Sequence, residues 1–576
     1  MAKPFESRIQ DLVYNVDVGI GLWLTKILLY VLFVVGVAVL YQVAEFRGLK
    51  DAEAMDQAQL ARNLALTGSF TTQNVRPASM WYLRTHTEEG DPQIMRHPDI
   101  VHAPMYATLL SGVFRLTKPN FNVEGPPRVF PPESTIVLPV NHLLNIVTGL
   151  FVFLLGRHLF DRRVALLAMT AFFLSNKVWA HSTAATSISA ATCFTAIAIY
   201  IASKWPGADT DAEKPATWPA LLKPALLAGF FCGLAFLTRY ATAVLVPAFI
   251  VYFAVRRPRR GWAWASAFLL VFLLVAAPWL ARNKVVSGGL LGLAPHTALN
   301  DTKLFSDQSF ERSFEPKLEG AKIFRALQAK WMSNFSETFD GGLRTVGDGL
   351  FVALFLTAFF FRFNRPDTHV FRWCMALAIG LLFLIGGYFG PRTMDLLHIF
   401  LPIVLVYGTG FFFVLLARLQ MSLRILEYGV VGALLLLSAI PLLVTLMPPR
   451  ATLPYPPYFP PYHSLVSKML DDDELLCTDM PWATAWYGRH TSLYLPVTLD
   501  EFYTINDYHK RISGLYFTTL TRDKPFIRTL ATGPYRSWFP ILQGQTPADF
   551  PLRKGFPIPP GSLDQIFLTD RIRWER

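Results

Sequence analysis

The residues best placed to do chemistry follow the first apolar run, in Glu45–Phe70 (EFRGLKDAEAMDQAQLARNLALTGSF). Ala, Leu, Gln and Arg from Ala52 to Leu66 favour helix, and Gly68 is placed to end it. On such a helix Glu53, Asp56 and Gln57 stand at i, i+3 and i+4 and share one face. Leu60 and Leu64 continue much the same side toward the membrane. Two carboxylates and an amide on one face can take a proton or hold a cation. The same pattern also describes an ordinary helix start, because Asp51 is a good N-cap and acids in a first turn suit the macrodipole. A second set is basic. Arg239, Arg282 and Arg392 stand at ends of apolar runs, with Lys50 and Lys284 nearby. A guanidinium fork can bind two phosphate oxygens at once; as a plain anchor it would snorkel to the interface.

The elements that must position these residues are mostly membrane spans. Hydrophobic residues make up 52% of the 576 and charged residues only 16%, with mean hydropathy +0.34, against about 25% charged in soluble domains. About eleven segments between Gly19 and Met447, one of them Val164–Ala180, approach the length that crosses about 30 Å of hydrocarbon. Asp11 and Asp17 precede the first run, which lacks a small-residue cleavage site and so reads as a retained span. The net charge of +12 does not indicate nucleic acid, because the basic residues punctuate apolar runs rather than gather on one face. Four cysteines contain no C-x-x-C pair, so neither a disulfide framework nor a thiolate zinc site is indicated.

Lys/Arg placement sets the orientation. With the N-terminus cytoplasmic, successive inner loops hold Arg157, Arg162 and Arg163, then Lys204 and Lys214, then Arg256 to Arg260, then Arg362 and Arg365, then Arg418 and Arg424. Every inner loop is then basic, as the positive-inside rule requires. Residues 44–133, 281–345 and 448–576 fall outside together, and the C-terminus is extracytoplasmic. The tail opens on a proline-dense spacer, PPRATLPYPPYFPPYH, and strand-like runs at Glu474–Thr478 and Thr491–Leu495 predict a small α/β domain. No internal repeat of the kind common in transporters and no nucleotide-binding glycine loop is present.

Four segments in order then carry a resemblance. EAMDQAQLARNLALTGSFTT resembles the first outer loop of the GT-C glycosyltransferases, above all the bacterial family-39/83 group related to protein O-mannosyltransferases and the lipid A aminoarabinose transferase. HAPMYATLL (His102–Leu110) is similar to that loop's PPL-Y stretch. APWLARN (Ala277–Asn283) is similar to the PW-x-x-RN exit of a mid-chain span, and PRTMDLLHIFLP (Pro391–Pro402) to the entry of a late one. The resemblance covers the membrane part, with the tail less fully included.

That resemblance implies a polytopic α-helical GT-C module over 1–447 and an extracytoplasmic α/β domain over 448–576, in a membrane of the bacterial inner type. It implies an inverting transferase moving a sugar from a polyprenyl-phosphate carrier to an acceptor glycan, lipid or protein. Glu53 stands where the family has its catalytic Asp and would take the acceptor proton; Asp56 would orient it, and Asp51 competes for the role of base. Arg239, Arg282, Arg392 and Lys50 would bind the lipid phosphate, and His102, Pro104 and Tyr106 form a substrate loop. No cofactor is required, with a divalent metal left open. The partners are the lipid-linked donor, the acceptor and membrane lipid, with no nucleic acid. Two departures stand out: no Asp or Glu occurs from Val164 to Ala208, and the W-W-D run of oligosaccharyltransferases is missing. A flippase of lipid-linked sugars and a non-catalytic envelope assembly protein are the competing classes.

Overall fold

The computed structural model describes residues 20–87, 93–123, 129–205, 218–256, 261–340, 349–363, 365–389, 393–420, 423–448, 458–522, 531–562 and 564–574. Among them, six helices are long and apolar enough to cross a membrane, from Gly21–Glu45 to Arg424–Leu446, and four shorter apolar helices accompany them. The expected span Val164–Ala180 is divided. Arg162–Leu174 ends at Ser175, whose backbone is extended (φ −73°, ψ 121°), and Asn176–Ala184 follows in a new direction. A Ser-Asn pair favours a cap over helix interior, and the Trp179 indole ties the break by donating to the Phe173 carbonyl at 2.8 Å. Within the bundle, backbones approach closely where side chains are small. A Cβ on Gly229 would lie 2.4 Å from the Phe268 carbonyl oxygen, so Leu222–Thr238 lies flush against Gly261–Ser287. That contact fixes where the chain emerges at Arg239.

After the first span the chain turns at Gly48, whose φ of +110° is open mainly to glycine, and enters the Ala52–Thr67 helix. Asp51 caps it, accepting the Glu53 N–H at 3.0 Å. Gly68 closes it at φ +73°, its N–H bonded to the Leu64 carbonyl. Ala54 to Arg62 are all buried, because this helix lies between the bundle and the tail.

The tail folds on a six-stranded sheet with order β1-β3-β2-β4-β6-β5. β2 (Leu475–Thr478) and β3 (Ser492–Tyr494) are the two strand-like runs of the sequence, and β4 (Ile512–Phe517), β5 (Lys554–Ile558) and β6 (Gln565–Thr569) complete the tail's share. β1 (Asn74–Val75) does not belong to the tail at all. It comes from the segment that follows the first span and pairs in parallel with β3, Asn74 opposite Ser492 and Val75 opposite Leu493. Loop 281–345 joins the same layer, since Glu501 of the tail accepts the N–H groups of Phe314 and Glu315 at 3.0 and 3.2 Å. Much of the proline-dense spacer and of the Arg256–Arg260 cluster lies outside the described residues.

One buried cation fastens the layers. Arg62, 1% exposed, donates to the carbonyls of Trp486 and Ala485 at 2.8 Å each and to Gln73 Oε1 at 2.5 Å. Its guanidinium also sits 5.5 Å from the Trp486 ring centre. These carbonyls end the Pro481–Tyr487 helix, where the macrodipole favours a cation. Hydrogen bonds to a charged group are worth about 1.5–3 kcal/mol each. Arg62→Met should therefore loosen the tail: in nanodiscs, limited proteolysis should cut residues 458–574 faster than in the wild type while the membrane bundle stays intact. Unchanged cleavage would mean that the tail is held without this residue.

Candidate active site

The acids of the first outer helix share a face and a cavity but not an environment. Glu53 projects from the first turn toward Arg239, where the backbone leaves the Leu222–Thr238 helix in extended form (φ −147°, ψ 119°). Arg239 Nη2 donates to Glu53 Oε1 at 2.6 Å and to Oε2 at 2.5 Å. Ser187, at the start of the Ile188–Ser203 helix, adds its hydroxyl at 2.6 Å and its N–H at 3.4 Å, both to Oε1. Burial alone would raise the Glu53 carboxyl, but Arg239, the Ser187 hydroxyl and His102 more than offset it and hold the group below its usual value. The carboxylate is still 29% exposed. It is anionic and reachable.

Asp56, one turn on, is 1% exposed. It accepts both contacts of the Asn74 amide at 2.8 and 3.0 Å and Arg76 Nη2 at 2.5 Å. Arg76 reaches onward to Glu311 Oε2 at 3.1 Å. Burial would lower the Arg76 pKa, and Asp56, Glu311 and Asp99 drive it up instead. His102 completes this wall. Its Nδ1 lies 2.9 Å from Asp99 Oδ2, and its Nε2 lies 3.8 Å from Asp56 Oδ2. Asp99 also accepts the backbone N–H of Val101 and of His102, at 3.1 and 2.8 Å. Burial would lower the imidazole pKa, but Asp99 and then Asp56 raise it above the ordinary value; His102 in turn holds the buried Asp99 well below the carboxylate range.

These groups surround a cavity of about 590 Å³. Its lining is of two kinds. Ile385 at the end of the Asp367–Gly386 helix, Phe389 and Leu396 from the connection to Leu397–Arg418, and Ala241 and Leu291 give it apolar lining. The charged lining is Glu53, Asp56 and Arg76, roofed by Trp482 and Tyr494 from the tail. Among the described residues, no three His, Cys, Asp or Glu side chains are gathered to hold a metal ion.

The structure therefore sorts the residues singled out in the sequence. Asp51, Glu53, Asp56, Arg239 and His102 all line the cavity. Arg282 does not: its Nη1 is committed to the Asp99 carbonyl at 2.6 Å and its Nη2 to the Phe70 carbonyl at 3.2 Å, with the Trp279 ring 4.8 Å away. A span-end position gave no indication that two carbonyls of the segment after the first span would meet it. Lys50 is exposed and apart from the cavity lining. Arg392 lies outside the described residues. Pro104 starts the Met105–Thr117 helix. Tyr106 is fully buried, its hydroxyl donating to the Ala185 carbonyl at 2.9 Å, so both build scaffold. Arg76, Asp99, Ser187, Glu311, Trp482 and Tyr494 were not foreseen. Only Asp99 left a local trace, the i, i+3 spacing to His102; the rest meet the cavity through remote contacts.

Residues 128–281 match the family model described as dolichyl-phosphate-mannose-protein mannosyltransferase. No curated protein matches the chain in sequence. Solved structures match in fold. The oligosaccharyltransferase of Archaeoglobus fulgidus in complex with zinc and sulfate gives a TM-score of 0.51 at 12% identity, over 87% of this chain and 69% of that one. The same enzyme tethered to an acceptor peptide containing an NVT sequon gives 0.50 at 11%, over 86% and 70%. ArnT of Cupriavidus metallidurans bound to undecaprenyl phosphate aligns over 94% and 98% at 12% identity, with a TM-score of 0.43. The chain thus shares its fold with the Archaeoglobus fulgidus oligosaccharyltransferase structures, and its residues 128–281 match the dolichyl-phosphate-mannose-protein mannosyltransferase family model.

Proposed function

We propose that this protein transfers a sugar from a polyprenyl-phosphate carrier to an acceptor hydroxyl at the outer face of the membrane, with Glu53 as general base. The observation that carries this reading is the cavity itself: a partly exposed, anionic carboxylate beside an arginine, in a space lined by apolar residues near the late helices and by the aromatic Trp482 and Tyr494 of the tail. The apolar lining suits the first units of a lipid carrier, and the roof suits a water-borne acceptor. In the reaction, Glu53 takes the acceptor proton and the freed oxygen attacks the sugar's anomeric carbon. The bond from that carbon to phosphate oxygen breaks, and polyprenyl phosphate departs with the electron pair. Attack opposite the leaving group inverts the anomeric centre.

Arg239 is the cation placed to meet the leaving phosphate, and it also holds Glu53. A phosphate that draws Arg239 to itself removes the cation that depresses the Glu53 pKa. The carboxylate then becomes a better base when a donor is present. Asp56 has a different part. Buried and committed to Asn74 and Arg76, it fixes the Arg76–Glu311 wall and the His102 edge. Asp51 uses its carboxylate on the helix cap.

Measured transfer in purified protein should follow this division. Glu53→Gln should lower turnover by about 10²- to 10⁴-fold while the lipid donor still binds. Asp51→Asn should change little, since Asn caps about as well. Asp56→Asn should first show as lost stability, because separating a buried ion pair costs about 3–5 kcal/mol, read as a lower melting temperature in detergent. Normal transfer by Glu53→Gln would move the base elsewhere, and consumption of no lipid-linked sugar by the wild type would sink the transferase reading.

Arg239→Gln gives a separate test with a definite sign. In the free wild type the Glu53 pKa is depressed, so the acidic limb of kcat/KM for the donor should lie below the ordinary glutamate value of about 4.3. Removing the cation lets burial dominate and raises that pKa. The limb should therefore move to higher pH in Arg239→Gln, alongside weaker donor binding. A limb that stays in place would uncouple the two residues.

A further inference from the structure

The helix Gly320–Asp340 takes no part in the cavity lining or the sheet, and it is packed on one side only. Ile323 and Leu327 rest on the cluster that contains Tyr82, Leu293, Leu299 and Phe310. The Lys330 ammonium is bound on the same side by the Ala298 and Asn300 carbonyls. Farther along, the helix is tied to the end of a span. The Trp331 indole donates to the Leu384 carbonyl at 2.9 Å, and the Asn334 amide donates to the Gly387 carbonyl at 2.8 Å. Phe335 stacks on Trp331, centroids 4.9 Å apart, and meets Phe383 edge-on at 5.2 Å. Leu384 and Ile385 close the Asp367–Gly386 span and are 49% and 40% exposed, as side chains facing acyl chains would be.

Helical spacing sorts the open side. With about 100° between successive residues, Phe324, Trp331 and Phe335 fall on one stripe, and Met332 borders it. Phe324 is 69% exposed and Met332 56%. Lys322 and Ser333, both exposed, stand on the opposite flank, and exposed Arg325 stands where the two flanks meet. Lys322 spends its charge on Glu319, 2.7 Å away. The helix's own acids, Glu337 and Asp340, occupy its last turn, about three turns beyond Arg325. An apolar aromatic sector, a polar flank and an arginine at the border describe a helix lying in a membrane interface. Tryptophan is enriched at that depth, and an arginine stem can follow the apolar sector while its head stays among polar groups. The occupant of the open face follows from continuity, because the stripe runs directly onto Leu384 and Ile385.

From these contacts we infer that Gly320–Asp340 is a membrane-binding helix. Phe324, Trp331, Met332 and Phe335 enter the leaflet on the cavity's side, and Arg325 meets phospholipid phosphodiesters at its surface. Loop 281–345 is then not wholly outside the bilayer. Its helix is fastened at lipid depth to the span end whose Ile385 lines the cavity. The inference stands whether or not the protein transfers a sugar.

Spin labelling of the full-length protein in nanodiscs of phosphatidylcholine and phosphatidylglycerol tests it. The native cysteines Cys193, Cys232, Cys374 and Cys477 are buried, so Phe324→Cys, Met332→Cys and Ser333→Cys can each carry one nitroxide at the new position. Power saturation with oxygen and with a water-soluble nickel chelate reads the depth of each label. Labels at positions 324 and 332 should favour oxygen and lie about 5–10 Å below the phosphate level, whereas the label at 333 should favour nickel. Adding Arg325→Glu should move the label at 332 toward water. Should Phe324→Cys fail to fold, as read from its melting curve, position 332 against position 333 decides. Nickel access at 324 and 332 equal to that at 333 would overturn the inference. Shielding of 324 and 332 from both reagents would overturn it too, since protein rather than lipid would then cover the face. An unmoved label in Arg325→Glu would remove Arg325 as the lipid contact.

Discussion

A charge at the edge of a bilayer cannot be left without a partner, and that constraint organises the layer in which residues 52–123, 281–340 and the tail meet. Moving an ionised side chain out of water costs far more than one interaction can return unless an opposite charge or several dipoles meet it. Glu53 has Arg239 and Ser187. Asp56 has Arg76 and Asn74, Arg76 has Glu311 as well, and Asp99 has His102. Arg62 and Arg282 are held by backbone carbonyls and aromatic rings. Arg239, Ser187, Glu311 and Trp486 are remote in sequence from the charges they meet. Satisfying the charges therefore brings the segment after the first span, the mid-chain helix ends and the tail into one layer.

That layer is folded as a unit. β1 is two residues long and would have no stability by itself, since short strands need a sheet face to pack on. Its place in the tail's sheet sets Asn74 beside Asp56 and Arg76 just beyond it. Glu133 shows the same dependence at the next junction: it accepts the Leu49 N–H at 3.2 Å and the Trp486 indole at 2.7 Å, joining the exit of the first span, the start of the second and the tail. The boundary drawn in sequence at residue 447 marks where apolar runs end. It does not mark where cooperation ends.

This explains which features were legible in the sequence. Spans declare themselves by length and lack of charge. The Asp51 cap and the Gly68 stop are local signals, and both operate as the residue types suggest. The shared face of Glu53 and Asp56 follows from helical spacing alone. What spacing cannot convey is which remote group each side chain meets. Arg239 and Arg282 look alike in sequence, each at an outer span end, yet one faces a carboxylate in the cavity and the other two carbonyls behind it. Tyr106 stood in a motif-like stretch and is scaffold, whereas Trp482 and Tyr494 stood in no motif and form the roof. The break at Ser175 was hidden by an apolar run whose composition permits a continuous helix.

The same reasoning separates the two acids by what surrounds them. Glu53 keeps part of its surface open and is held by one cation that a phosphate could draw away. Asp56 is sealed and doubly committed to groups that themselves hold the wall. A carboxylate can exchange protons only if releasing its partner costs little, and only if a substrate oxygen can reach it. In the proposed function Glu53 is the acid that meets both conditions, whereas Asp56 would have to dismantle Arg76 and Glu311 to do so. On the proposed function, the pairing that makes the site stable also separates the two acids in reactivity, because the most completely satisfied charge is the least able to change its state.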